Sequence, residues 1–241
     1  IAAGRVSVDG RPAAKPAQTL APDAALAVAP GPRWASRGAL KLLHALDAFG
    51  LDPSGARALD LGASTGGFTD ALLARGAAHV TAADVGRDQL HPRLASDPRV
   101  TALEGVDARA LPPGLAEAVD WITADLSFIA LAKALPPVLA AARPGATLVA
   151  LVKPQFEAGR AAVGKGGVVR DPAARAAACA AVRTLLVAAG WTVLGETESP
   201  VAGGDGNVEH LIAAQRSREN GPPGGESAAV ERPSSKDAPS L

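Results

Sequence analysis

Leu59-Asp60-Leu61-Gly62-Ala63-Ser64-Thr65-Gly66-Gly67-Phe68-Thr69-Asp70 is the segment whose residue types and spacing most directly suggest chemistry. An apolar run leads into three glycines, and a helical pattern begins where they end. Backbone amides and absent side chains then let a ligand approach closely. The glycines stand at 62, 66 and 67, not in the G-x-G-x-x-G order of dinucleotide sites, which weakens a nicotinamide reading. Asp60 precedes the loop, where a carboxylate can accept from an amino-acid ammonium group. Asp84 ends the next apolar run and suits ribose hydroxyls, while Asp107 follows the third and suits an adenine amino group. Carboxylates around such a loop fit a cationic adenosyl cofactor, S-adenosylmethionine, contacted by Gly62, Ser64, Thr65, Gly66, Gly67 and Phe68. The competing explanation is that Asp60 and Asp107 are ordinary cap or turn residues.

The elements that must position these groups alternate along the chain. Strand-like runs fall at 57–61, 79–84, 99–104, 119–125, 146–153, 191–196 and 207–214, with helical patterns at 67–75, 131–142 and 171–189. Ser36 is an N-cap candidate for a helix reaching Phe49, with Gly50 as its stop and Leu40, Leu43 and Leu46 as its buried stripe. This alternation predicts an α/β fold, a Rossmann-like doubly wound and mostly parallel sheet that binds ligands at the carboxyl ends of its strands. Residues 1–29 read as strands with a turn at Asp9-Gly10, 30–35 as a linker, 36–215 as the main domain and 216–241 as a polar, disordered tail.

A chain of 241 residues, 48% of them hydrophobic, suffices for one good core. The 24 basic and 24 acidic residues cancel, so no global charge announces a polyanion partner. Basic residues nevertheless gather within 1–41 and again from Lys153 to Arg175, which suits local phosphate contact. The single cysteine, Cys179, points to a reducing compartment, and without a membrane-length apolar run a cytoplasmic location is expected. With no methionine even at position 1, the chain is expected to lack its natural start. His44, His79, His91 and His210 show no metal-ligand spacing, so structural roles and no metal are expected. Packing is expected for Trp34 and Trp121 in preference to base stacking.

Ser36-Arg37-Gly38-Ala39-Leu40-Lys41-Leu42, the glycine loop, Ala124-Asp125-Leu126-Ser127-Phe128-Ile129, Leu151-Val152-Lys153-Pro154-Gln155-Phe156-Glu157 and Gly206-Asn207-Val208-Glu209-His210 occur in that order. Together they resemble the TlyA family of bacterial haemolysin-like ribosomal RNA methyltransferases, over about residues 1–214. The resemblance implies an FtsJ-type catalytic domain and a Lys-Asp-Lys-Glu tetrad at Lys41, Asp125, Lys153 and Glu209, with Asp125 also near the cofactor. It implies 2′-O-methylation of cytidine in ribosomal RNA, with ribosomal RNA or subunits as partner. A ribose hydroxyl is a poor nucleophile, so a base must take its proton as the methyl group arrives in line. Lys153 is the candidate base. Burial and Lys41 favour its neutral amine, whereas Asp125 opposes that effect but holds the nitrogen in place. Glu209 is expected to orient Lys41 or the hydroxyl.

Arg5, Arg11, Arg37, Arg160 and Lys165 are the candidate RNA contacts, the last two on a glycine-rich loop from Pro154 to Arg170 that reads as a substrate-facing flap. An S4-type RNA-binding domain precedes the catalytic domain in the family, and residues 1–29 resemble only its final hairpin. The alternative function is a non-catalytic RNA-binding or ribosome-assembly module on the same fold. A membrane-lytic role is disfavoured by the lack of a spanning segment or a basic amphipathic helix.

Overall fold

The computed structural model describes residues 6–15, 17–29 and 33–218. Arg5, part of the expected linker (30–32) and most of the expected tail (219–241) lie outside the described residues.

Near the N-terminus, β1 (Val6–Val8), β2 (Arg11–Pro12) and β3 (Leu26–Val28) form an antiparallel sheet in the order β2-β1-β3. The turn falls at Asp9-Gly10, both with positive φ, as a tight hairpin requires. The Asp9 carboxylate accepts from Ala25 N at 2.8 Å and ties β3 to the turn.

The main domain begins with α1 (Gly38–Phe49), which Gly50 ends in the left-handed region. Then follow β4 (Arg57–Leu61), α2 (Gly67–Ala74), β5 (His79–Asp84), α3 (Pro92–Ala95), β6 (Val100–Glu104), β7 (Trp121–Ala124), α4 (Leu131–Ala134), α5 (Pro136–Ala141), β8 (Thr147–Val152), α6 (Pro154–Glu157), α7 (Pro172–Ala188), β9 (Trp191–Glu198) and β10 (His210–Arg216). The seven main strands form one sheet in the order β6-β5-β4-β7-β8-β10-β9. The pairs from β6 to β8 are parallel, and β10 runs antiparallel to both β8 and β9. Chain order reverses direction at β4 and β7, which opens a crevice at their carboxyl ends.

The register has a direct consequence for the site. His210 opposes Val152. Because β10 is antiparallel, Glu209 just before its start meets the same sheet edge as Lys153 just after the end of β8. Alternation along β10 sends Leu211 and Ala213 to the layer holding α1 and α2, and Ile212 and Ala214 to the layer holding α4, α5 and α7.

Three local expectations are corrected. The buried face of α1 is Ala39, Leu42, Ala45 and Leu46, while Leu40 is 43% exposed. That rotation brings Lys41 to the buried edge beside the crevice. The single helix expected over 131–142 is two short helices, because Pro136 and Pro137 lack backbone donors and crowd the preceding turn. The final strand continues through Arg216, which pairs with Trp191, so the tail begins later than 216.

Candidate active site

The crevice has a polar and a more apolar compartment, which share Gly62, Ser64, Asp125 and Ser127. The polar compartment, about 270 Å³, is lined by Arg37, Lys41, Thr65 and Lys153 among others. The larger one, about 580 Å³, runs beneath Asp84, Val106 and Phe128.

Gly62 is where β4 turns out of the sheet, with φ +77, and a Cβ there would lie 2.5 Å from the carbonyl oxygen of Asp125. Only glycine lets these two strand ends approach so closely. A Cβ at Gly67 would collide with Ser36 Oγ, so Gly67 is what lets the start of α1 close over the loop. The carboxylate of Asp84 accepts from Ser64 N at 2.8 Å and Gly86 N at 2.7 Å, and fastens the glycine loop to the turn after β5.

Two ion pairs, one buried and one partly exposed, meet at this edge. Lys41 Nζ lies 2.5 Å from Glu209 Oε2, with both side chains almost wholly buried. Lys153 Nζ lies 2.7 Å from Asp125 Oδ1 and donates an aligned hydrogen bond to Ser127 Oγ, also at 2.7 Å. Lys41, Asp125 and Lys153 face the polar compartment. Glu209, only 2% exposed, stands behind Lys41, and of the two partners expected for it the geometry supplies the lysine.

Most of the expected cofactor residues come together here: Gly62, Ser64, Thr65, Gly67, Phe68, Asp84, Asp107 and Asp125 all line the crevice. Asp60 does not. It is fully buried beneath the loop, where Oδ2 accepts from Thr69 Oγ1 at 2.7 Å and Oδ1 from Thr123 Oγ1 at 2.9 Å. Gly66 also stays out of the crevice, packed against Leu90 and Leu94 at the start of α2. Asp107 lines the crevice, but its carboxylate is already engaged by the Arg109 side chain and backbone amide. That guanidinium holds the carboxyl down at about 2.

Burial lifts the Asp60 carboxyl to about 6, against the two threonine hydroxyls that favour the carboxylate. The native state therefore keeps a proton that the unfolded chain releases, and stability falls as pH rises from about 4 through about 6. The shift corresponds to roughly 3 kcal/mol. Asp60→Asn is expected to remove this slope, measured by urea unfolding at pH 4.5 and 7; a slope that persists would show that Asp60 does not cause it.

Of the expected RNA contacts, Arg37 lines the polar compartment and Arg160 lines a neighbouring groove with Phe128, Lys133 and Phe156. Arg11 and Lys165 are exposed, Arg11 on the small N-terminal sheet. The expected flap is more ordered than a free loop. It contains α6 and two single 3-10 turns, and Asn207, wholly buried, clamps it by accepting from Val169 N and donating to Gly167 O, both at 2.9 Å.

The sequence motifs alone assign no role to Ser127, Phe128 or Asn207. Phe128 is 90% exposed, holds φ +65 and lies 5.4 Å from the Phe156 ring. A large apolar side chain kept in water in a strained conformation at the lip of a crevice is a functional signal. Trp121 is buried and Trp34 packs on the core cluster, as expected. His44 and His79 hydrogen-bond to the hydroxyls of Thr197 and Thr101, and His91 accepts from Arg93 N.

Fold and crevice define the class, and the sequence matches the FtsJ-like methyltransferase family over residues 34–216. The chain is 50% identical over 215 residues to the 16S/23S rRNA (cytidine-2'-O)-methyltransferase TlyA of Mycobacterium tuberculosis, covering 88% of this chain and 80% of that protein. It is 35% identical to the 23S rRNA (cytidine-2'-O)-methyltransferase TlyA of Campylobacter jejuni, covering 74% and 69% respectively. A solved structure described as a hemolysin, from Streptococcus thermophilus, superposes with a TM-score of 0.74 at 38% identity, covering 89% of this chain and 80% of that one. The chain belongs to the TlyA family of FtsJ-like methyltransferases. Among the described residues, no helix is long and apolar enough to cross a membrane.

Proposed function

We propose that this chain transfers a methyl group from S-adenosylmethionine to the 2′-hydroxyl of cytidine in ribosomal RNA. One observation carries the reading: the Lys153 nitrogen, held by Asp125 and Ser127, faces the same compartment as the glycine loop. The names of the two TlyA relatives support the substrate.

The residues present fit the cofactor. Gly62 leaves open the space a side chain would fill, Asp84 offers free lone pairs at the end of β5, and the apolar compartment beneath Val106 and Leu126 suits an adenine ring. When bound, S-adenosylmethionine supplies an electrophilic methyl group on a sulfonium centre. Lys153 Nζ takes the proton from the ribose hydroxyl as its oxygen becomes nucleophilic, and Asp125 and Ser127 keep the nitrogen on the required line. Lys41, steadied by Glu209, stabilises negative charge developing on that oxygen. Phe128 offers its face to the target base, while Arg37 and Arg160 attract the flanking phosphates. The small sheet of β1 to β3 serves as an RNA-binding surface of the S4 type, and a ribosomal substrate implies a cytoplasmic location.

Stacking on an aromatic ring is worth about 1–3 kcal/mol per base. Phe128→Ala is therefore expected to lower kcat/KM for RNA by about 5- to 150-fold with the unfolding midpoint unchanged. Unchanged kcat/KM would remove the stacking role. The proposed activity is tested with tritiated S-adenosylmethionine and separated 30S and 50S subunits. Saturable cofactor binding and label in ribosomal RNA are expected. Absence of cofactor binding would refute the reading, and binding without transfer would favour a ribosome-assembly module.

A further inference from the structure

On the far side of β10 from Lys41, the fold assembles a second group of polar side chains. Cys179 of α7, Glu196 of β9 and His210 of β10 bring a sulfur, a carboxylate oxygen and an imidazole nitrogen within 4.8 Å of one another. No spacing along the sequence marks them. It is the β9-β10 hairpin, packed under α7, that places them together. Cys179 is buried, whereas Glu196 and His210 are half-buried, so one side of the group stays open. His210 Nδ1 already lies 3.8 Å from Glu196 Oε1. Arg183 holds the other oxygen of Glu196 at 2.8 Å and so fixes the orientation of the carboxylate. Outer contacts of that kind orient the ligands in metal sites.

We propose that Cys179 Sγ, Glu196 Oε1 and His210 Nδ1 form a binding site for a borderline divalent cation of the Zn²⁺ type, with a fourth position open to water. Thiolate, imidazole and carboxylate are the donors such an ion selects. Ligand atoms around a tetrahedral Zn²⁺ stand roughly 3.5 Å apart, so from separations within 4.8 Å the group needs to close by at most about 1.3 Å. On binding, Cys179 gives its proton to solvent, and the thiolate and carboxylate together balance the two positive charges. Burial, reinforced by Glu196 and Glu157, pushes the free thiol up to about 12, so binding competes with a proton and tightens as pH rises. The site also bears on the methyl-transfer cleft. His210 follows Glu209 directly, and Glu157 lies on the short helix that begins after Lys153.

Cobalt(II) titration of the full chain tests the proposal. Cys179 is the only cysteine, so a sulfur-to-cobalt charge-transfer band in the near ultraviolet can arise nowhere else in the protein. The expected result is a band that saturates at one equivalent, is displaced by Zn²⁺, is absent in Cys179→Ala and needs at least tenfold more metal in His210→Asn. Cys179→Ala places another alanine on the Ala-rich α7, and Zn²⁺ should raise the melting temperature of the parent chain but not of this variant. Two results would overturn the site: no saturable band although the thiol titrates as reduced in denaturant, or unchanged cobalt affinity in both His210→Asn and Glu196→Gln.

Discussion

Lys153→Met is expected to slow single-turnover methyl transfer by about 10²- to 10⁴-fold, the range that a positioned general base contributes. Methionine keeps the length and most of the volume of the lysine stem, which is buried at the end of β8, so folding and cofactor binding should persist. Asp125 is 22% exposed at its side chain and can take water in place of the lost ammonium. A Lys153→Met rate within tenfold of the parent would assign the base to another group.

Glu209→Ala should produce the largest change in stability. Lys41 and Glu209 are both buried, and removing one partner leaves the other as an uncompensated charge, at a cost of about 3–5 kcal/mol. Against a typical domain stability of roughly 5–15 kcal/mol, that is a substantial fraction. Replacing both partners with apolar groups of similar volume removes the stranded charge, so Lys41→Met/Glu209→Leu should recover most of the loss in urea unfolding. The double variant should fold and still fail to transfer methyl groups. A single variant as stable as the parent would mean that the pair is hydrated in solution.

The parts of the site that were legible in the sequence are those carried by contiguous segments. The glycine loop shows its strand, turn and helix within twelve residues, and the mostly parallel sheet follows from the alternation that surrounds it, though the order of its strands does not. The helix that carries Lys41 ends at Phe49 and stops at Gly50 as expected, but its buried face was not legible: alanines form much of that face of α1, and they offer too little hydropathy contrast to set against Leu40. Asp60 illustrates the opposite failure. Its position ahead of the loop is that of a ligand contact, yet Thr69 and Thr123, the latter from a neighbouring strand, take both oxygens below the crevice floor. Asp107 was readable as a turn residue from Arg109 two positions on. Phe128 depends on a backbone conformation that no sequence period encodes. The Asn207 clamp and the group at Cys179 each join elements far apart in the chain.

The most direct test of 2′-O-methyl transfer at the Lys153-Asp125 edge is nucleoside mass spectrometry of ribosomal RNA after reaction with the purified chain and S-adenosylmethionine. The expected product is 2′-O-methylcytidine, formed by the parent chain and missing with Lys153→Met. Methyl groups carried on a base instead of the ribose, or 2′-O-methylcytidine formed equally well by both proteins, would contradict the assignment.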